Sequence, residues 1–241
     1  MANTQYYDIL QSYLDPALTV QRIVHGISWT AAVLSNGQTG VAMHTEGESY
    51  PRMFPSLEGL PLTKAGEAMM SWNMEEASEA FAAVNAYYNT PNQWTTGPEV
   101  KTLDGIDLKG KTVGFVGHLI GHSNITEETL KDAKEYFIME KEPKPGDYPD
   151  SACEFLLPRC DVVVITGSAA MNKTMPRLLE LSQNAVTVLT GPSVTCCPTL
   201  LSLGIQRLNG RAITDSEPML SAIVEKRTSV NAYSLPFQIE Q

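Results

Sequence analysis

The residues able to do chemistry in this chain fall into two kinds. Some are glycine and hydroxyl clusters at the ends of apolar runs, and the rest are a few scattered histidines and cysteines. Thr166-Gly167-Ser168 closes the apolar run 161–166 and is followed by Asn172-Lys173-Thr174. Hydroxyls and free amides near a helix start donate hydrogen bonds to an anion. Thr174 equally suits a helix cap. Gly191-Pro192-Ser193-Val194-Thr195-Cys196-Cys197-Pro198 leaves the next apolar run. Gly191 permits close approach of backbone to a ligand, and Pro198 suits a first helical turn. Adjacent thiols at a helix start are expected to have lowered pKa values, and thiolates suit soft metals. Free cysteines are also commonly small buried hydrophobes.

A third cluster, Gly114 to Gly121, contains Gly117 and His118. Its glycine spacing is not that of a dinucleotide loop, so NAD is not the expected cofactor. Glu140, past the second strand of this half, stands where an acid binds ribose hydroxyls in dinucleotide folds. It also reads as a solvated surface acid. His118 and His122 are four apart, which on a helix gives one metal-binding face, but Gly121 argues against a helix there. His25 lies in a strand beside Gly26 and near Trp29, where a core or hydrogen-bonded histidine is the default. No Walker A, HExxH, zinc-finger or Ser-His-Asp pattern occurs.

These residues need elements to position them. Residues 4–15 read as an amphipathic helix stopped by Pro16. Segments 20–27, 29–35 and 39–45 read as an antiparallel meander with a hairpin at Asn36-Gly37. Residues 46–61 read as loop, and 62–71 and 75–88 as helices. The second helix carries an apolar stripe at Ala77, Phe81, Val84 and Tyr88. This gives a smaller α+β domain over residues 1–96 and a linker over 97–104. Residues 105–241 alternate strands (112–116, 136–139, 161–166, 185–189, 205–208) with helices (127–135, 151–157, 174–182, 198–203, 217–225). Continuous apolar strands alternating with helices indicate an α/β domain, a Rossmann-like doubly wound parallel sheet. Ligands of such sheets bind beyond the carboxyl ends of the strands.

Composition narrows the partners. The chain has 241 residues, 43% hydrophobic, with a formal net charge of −10. That charge disfavours nucleic acid and anionic membranes, and slightly favours cations. No apolar run reaches the roughly 18 residues that span a bilayer, and the first residues do not read as a signal peptide. Four cysteines without CxxC spacing fit a reducing cytoplasm. Base rates make a homodimer the expected assembly.

The runs at 161–181 and 186–204, with Pro145 to Ala152, resemble the DUF364 family, a domain labelled for heavy-metal chelation. Residues 25–30 and 82–86 resemble its companion module DUF4213. The resemblance implies an enolase N-terminal-like first domain meeting a Rossmann-like domain at a cleft. It implies cleft residues Thr166, Gly167, Asn172, Thr174, Gly191, Pro192 and Ser193, joined by Asn85 and His25 from the first domain. It brings no enolase chemistry, because the catalytic barrel is absent. Two functions follow as expectations: a metal-handling protein binding a transition-metal ion or metal–chelate in the cleft, or an enzyme acting on a small anionic metabolite. A non-catalytic assembly protein, using the methionines at 69, 70 and 74 as contact surface, is a third.

Overall fold

The computed structural model describes residues 3–45, 50–91, 102–122 and 124–241. Most of the expected linker, residues 97–101, lies outside the described residues.

The first half folds as α1 (Gln5–Ser12), β1 (Val20–His25), β2 (Trp29–Leu34), β3 (Thr39–Met43), α2 (Leu62–Glu67) and α3 (Met74–Tyr88). The three strands form an antiparallel sheet in the order β1-β2-β3. The β2–β3 hairpin differs from the expected two-residue turn. Leu34 pairs with Gln38 across a three-residue loop, and only Gly37 takes a positive φ, of 82°. That is a type I turn closed by a left-handed residue. Side chains alternate across the sheet. Thr30, Ala32 and Leu34 face α3, whereas Ala31 and Val33 face the other way. α3 begins at an Asn73 cap, whose side chain accepts from the Glu76 N–H at 3.0 Å. Its residues Glu76 through Ala86 are all buried. The expected single stripe is therefore too narrow: this alanine-rich helix is enclosed on all sides.

The second half supplies β4 (Thr112–Val116), α4 (Glu127–Leu130), β5 (Glu135–Glu140), β6 (Tyr148–Pro149), α5 (Cys153–Leu156), β7 (Val162–Thr166), α6 (Ser168–Met171), α7 (Met175–Leu181), β8 (Val186–Thr190), β9 (Ile205–Ile213), α8 (Ser216–Val224) and β10 (Ser234–Glu240). Residues Pro198–Leu203 form a 3-10 helix rather than the expected α-helix. The sheet runs β10-β9-β8-β7-β4-β5-β6, parallel except for β10, which pairs antiparallel with β9. Strand order reverses between β4 and β7, and this is the topological switch point.

The two halves share one core. Tyr7 of α1 donates its hydroxyl to the Ala170 carbonyl at 2.8 Å, and α3 residues pack with those of β7, β8 and β9. α8 covers the outer face of the small sheet, placing Ile223, Leu220 and Met219 against Val24, Ala31 and Val41. No helix among the described residues is long and apolar enough to cross a membrane.

Candidate functional site

A cleft of about 880 Å³ opens at the switch point. Seven residues singled out in the sequence line it: Gly117, His118, Glu140, Thr166, Ser168, Asn172 and Thr174. Met43, Thr45 and Met74 of the first half complete its wall. Glu140 ends β5 at this cleft. Its carboxylate accepts from the His118 N–H at 2.9 Å and the Lys141 N–H at 2.7 Å, tying the exits of β4 and β5 together. The His118 ring meets the Asp147 carboxylate at 2.8 Å through Nδ1. Burial pulls the Asp147 carboxyl upward, but hydrogen bonds from His118 and the Lys144 N–H outweigh it and hold it below the usual carboxylate range. His118 is thereby oriented at the cleft wall.

On the opposite lip, the Thr166 and Ser168 hydroxyls lie 3.1 Å apart. Thr174 donates to Asn172 Oδ1 at 2.6 Å, so these two side chains hold each other. Between them Lys173 has φ 66° and reaches into the domain junction. Its Nζ donates to the Met171 carbonyl at 2.7 Å and also to the Ser71 carbonyl, and lies 5.8 Å from the Trp72 ring centroid. Burial pushes this amine down to about 8.

Other expected site residues join the halves instead of facing the cleft. Ser193 Oγ accepts from the Met43 N–H at 2.8 Å. Asn85, 1% exposed, donates to the carbonyls of Val41 (2.8 Å) and Ser193 (3.3 Å) and accepts from Thr195 Oγ1 (2.5 Å). Gly167 serves packing: a Cβ there would lie 2.5 Å from Val194 N and 2.7 Å from Ser193 C. Cys196 and Cys197 are buried, at 1% and 2% exposure. Burial drives the Cys196 thiol far above its ordinary value, the opposite of the lowered pKa expected at a helix start. His118 and His122 do not share a helical face, because the segment turns at Gly121 (φ 85°). His122, Gly191, Pro192 and Thr166 line a second cleft, of about 750 Å³, on the β8–β9 side.

His25 enters a cluster of which the sequence reading had found only one member. Its Nε2 lies 3.3 Å from Glu79 Oε1 and 3.9 Å from Glu75 Oε1. The ligand atoms of these three residues all lie within 4.8 Å of one another, the one such His/Cys/Asp/Glu group among the described residues. The hydrogen bond to Glu79 raises the His25 pKa. Burial pushes Glu79 up, but His25 and Arg52 together hold it below the usual range. Arg52 grips both Glu79 oxygens, with Nη1 to Oε1 at 3.0 Å. Thr30 Oγ1 sits between the Nδ1 atoms of His25 (3.4 Å) and His44 (3.0 Å). Glu75 and Glu79 are four apart on α3, so a shared face was readable from the predicted helix. Their meeting with His25 depends on the packing of α3 across the small sheet.

The donor set fits a borderline metal. Two ligand atoms on one ion at about 2.1 Å can be no more than about 4.2 Å apart. The two histidine–carboxylate separations already satisfy that limit, and small side-chain movement closes the remaining pair. One imidazole and two carboxylates suit Zn, Ni, Co or Fe rather than a thiophilic ion.

Comparison with known proteins agrees with this architecture. Residues 103–229 match the DUF364 family and residues 7–88 match DUF4213, both described as "Putative heavy-metal chelation". A crystal structure of a DUF364 protein of unknown function from Desulfitobacterium hafniense DCB-2 is similar over 99% of this chain and 98% of its own, with 31% identity and a TM-score of 0.84. One from Pyrococcus horikoshii shares the fold at 21% identity and TM-score 0.80, covering 99% of both chains. An uncharacterized protein of Methanocaldococcus jannaschii is 28% identical over 159 residues, which are 62% of this chain and 60% of that relative. This chain thus belongs to the DUF364 family, with a DUF4213 module before it.

Proposed function

We propose that this protein binds a divalent transition-metal ion, free or as a small chelate, through His25, Glu75 and Glu79. The convergence of these three ligand atoms within 4.8 Å carries the reading. It agrees with the family description. Glu75 follows Met74, and His44 precedes Thr45, and both Met74 and Thr45 line the switch-point cleft. A chelate's organic part would then have a neighbouring cavity. Arg52 acts as the resident counter-cation: it neutralises Glu79 until an ion arrives and must yield Oε1 when it does.

Titration of chelator-stripped protein with Ni, Co, Zn, Cu and Fe tests this. One site tighter than about 10 μM is expected, equivalent to about 7 kcal/mol. Glu79→Gln and His25→Ala should abolish it while the far-ultraviolet circular dichroism is kept. No binding at that level by the wild type would end the metal reading.

A second reading rests on a separate observation, the His118–Asp147 pair at the cleft. A histidine oriented by a buried carboxylate through Nδ1 is arranged as a general base. On that reading the protein is an enzyme of a small anionic metabolite. A metabolite screen by thermal shift, repeated on His118→Gln, separates the two: the variant should lose metabolite response and keep metal binding. We place the protein in a reducing cytoplasm, in keeping with four free buried cysteines, and as a homodimer, which light scattering would check.

A further inference from the structure

The face of the small sheet toward α3 carries a row of three polar side chains, and His25 alone of them belongs to the ligand set proposed above. His25 of β1 and Thr30 of β2 are direct cross-strand partners, and Thr30 pairs in turn with Ala42 of β3. The pairing continues one residue past β3, where the His44 N–H donates to the Ser28 carbonyl at 2.8 Å. Residues two apart on a strand share a face, so His44 stands on the side of Ala42, diagonally beside Thr30. The row therefore runs His25, Thr30, His44, and Glu75 and Glu79 of α3 meet it at the His25 end.

Thr30 is fully buried, at 0% exposure, and its hydroxyl has two partners among the described residues, both of them imidazole Nδ1 atoms. A hydroxyl has one proton to give and lone pairs with which to accept. It donates to one ring only, so the other ring must donate to it. The separations decide between them: 3.0 Å to His44 Nδ1 and 3.4 Å to His25 Nδ1. O–H donors make shorter bonds than N–H donors, so the hydroxyl proton lies toward His44. His25 Nδ1 is then the N–H that reaches Thr30, and Nε2 is the nitrogen turned to Glu79 and Glu75, at 3.3 and 3.9 Å.

We propose that Thr30 is a positioning residue for metal capture. By accepting a hydrogen bond from His25 Nδ1, it holds that ring in the tautomer and orientation that offer the Nε2 lone pair to an ion, and His44 fixes the direction of the hydroxyl. The proposal rests on the metal reading of His25, Glu75 and Glu79. Which imidazole nitrogen takes a metal is set by the hydrogen bond that the other one makes. The His25 side chain is 35% exposed, and Thr30 is the one partner of its Nδ1 among the described residues. A valine at position 30 keeps the shape and the β-branch of threonine and holds neither ring.

The test is Zn binding by the whole chain, measured in competition with a chromophoric chelator, for the wild type, Thr30→Val and Thr30→Ser. Thr30→Val should bind about 10- to 100-fold more weakly, and Thr30→Ser should return to within about threefold of the wild type, both with unchanged far-ultraviolet circular dichroism. Imidazole ¹⁵N NMR of the Zn-loaded wild type gives a readout that does not depend on the Thr30 variants, with the rings assigned through single His→Gln changes. His25 should ligate through Nε2 and carry its proton on Nδ1, and His44 should carry its proton on Nε2. A wild type that binds no Zn overturns the metal reading and this proposal with it. A wild type that binds, with Thr30→Val equally tight, overturns this proposal alone, as does ligation through His25 Nδ1 or a proton on His44 Nδ1. Thr30→Ser as weak as Thr30→Val also overturns it, because the loss would then belong to the methyl group and not to the hydroxyl.

Discussion

Asn85→Ala separates a strap between the halves from a ligand contact. The wild-type side chain makes three hydrogen bonds, two of them to β3 and to the loop after β8 through Nδ2, and one from Thr195. Truncation leaves the Thr195 hydroxyl, fully buried at 0% exposure, without its acceptor, and two carbonyls with less than their share of donors. A net hydrogen bond contributes about 1 kcal/mol, and an abandoned buried group costs about 1–3 kcal/mol. The expected loss is about 3–5 kcal/mol, or roughly 6–20 °C in Tm for a chain of this size. Urea unfolding followed by tryptophan fluorescence and circular dichroism measures it, with coincident transitions as the check on cooperativity. A cycle with Thr195→Val should show coupling, because the second change removes the orphaned donor. A loss below about 1 kcal/mol, accompanied by a loss of ligand response, would refute the strap and return Asn85 to the binding residues.

Three more outcomes follow from particular contacts. Gly167→Ala drives a Cβ to within 2.5–2.7 Å of backbone that has no flexible end to yield, so it should cost at least about 1–3 kcal/mol in the same unfolding assay. Wild-type stability would contradict the packing. All four thiols are buried, so a thiol reagent should label none of them in the native protein within minutes, and four after denaturation; rapid labelling of Cys196 or Cys197 would mean an open thiolate site. Lys173 has a folded-state value of about 8 against 10.5 for its ordinary state, so the unfolded chain binds the extra proton between those values. Stability from this site therefore rises as pH goes from about 8 to 10.5, and the wild type should gain on Lys173→Met across that window. A constant difference would count against a depressed amine.

The parallel strands were legible because β7 and β8 are continuous apolar runs, buried on both faces. β10 was not: it carries Pro236, which an edge strand tolerates, and its partner β9 extends five residues past the expected end. α4 stops at Leu130 although its pattern continues, and α6 is too short to show a period. The switch-point residues were found because strand-end position alone locates them. Ser193 was expected at a ligand for the same reason and Asn85 through the family resemblance, but their partners come from the other half of the chain, which no local pattern records. Cys196 illustrates competing effects: desolvation by the shared core overwhelms any benefit from the following 3-10 helix. His25 was found without Glu75 and Glu79, since that cluster exists only after α3 packs across the small sheet.

The metal site itself is tested most directly by X-ray absorption at the zinc edge on protein loaded with one equivalent of Zn. His25, Glu75 and Glu79 should give a first shell of nitrogen and oxygen at about 2.0–2.2 Å, with the outer scattering of a single imidazole. A sulfur shell near 2.3 Å would contradict the account and place the ion on cysteine instead.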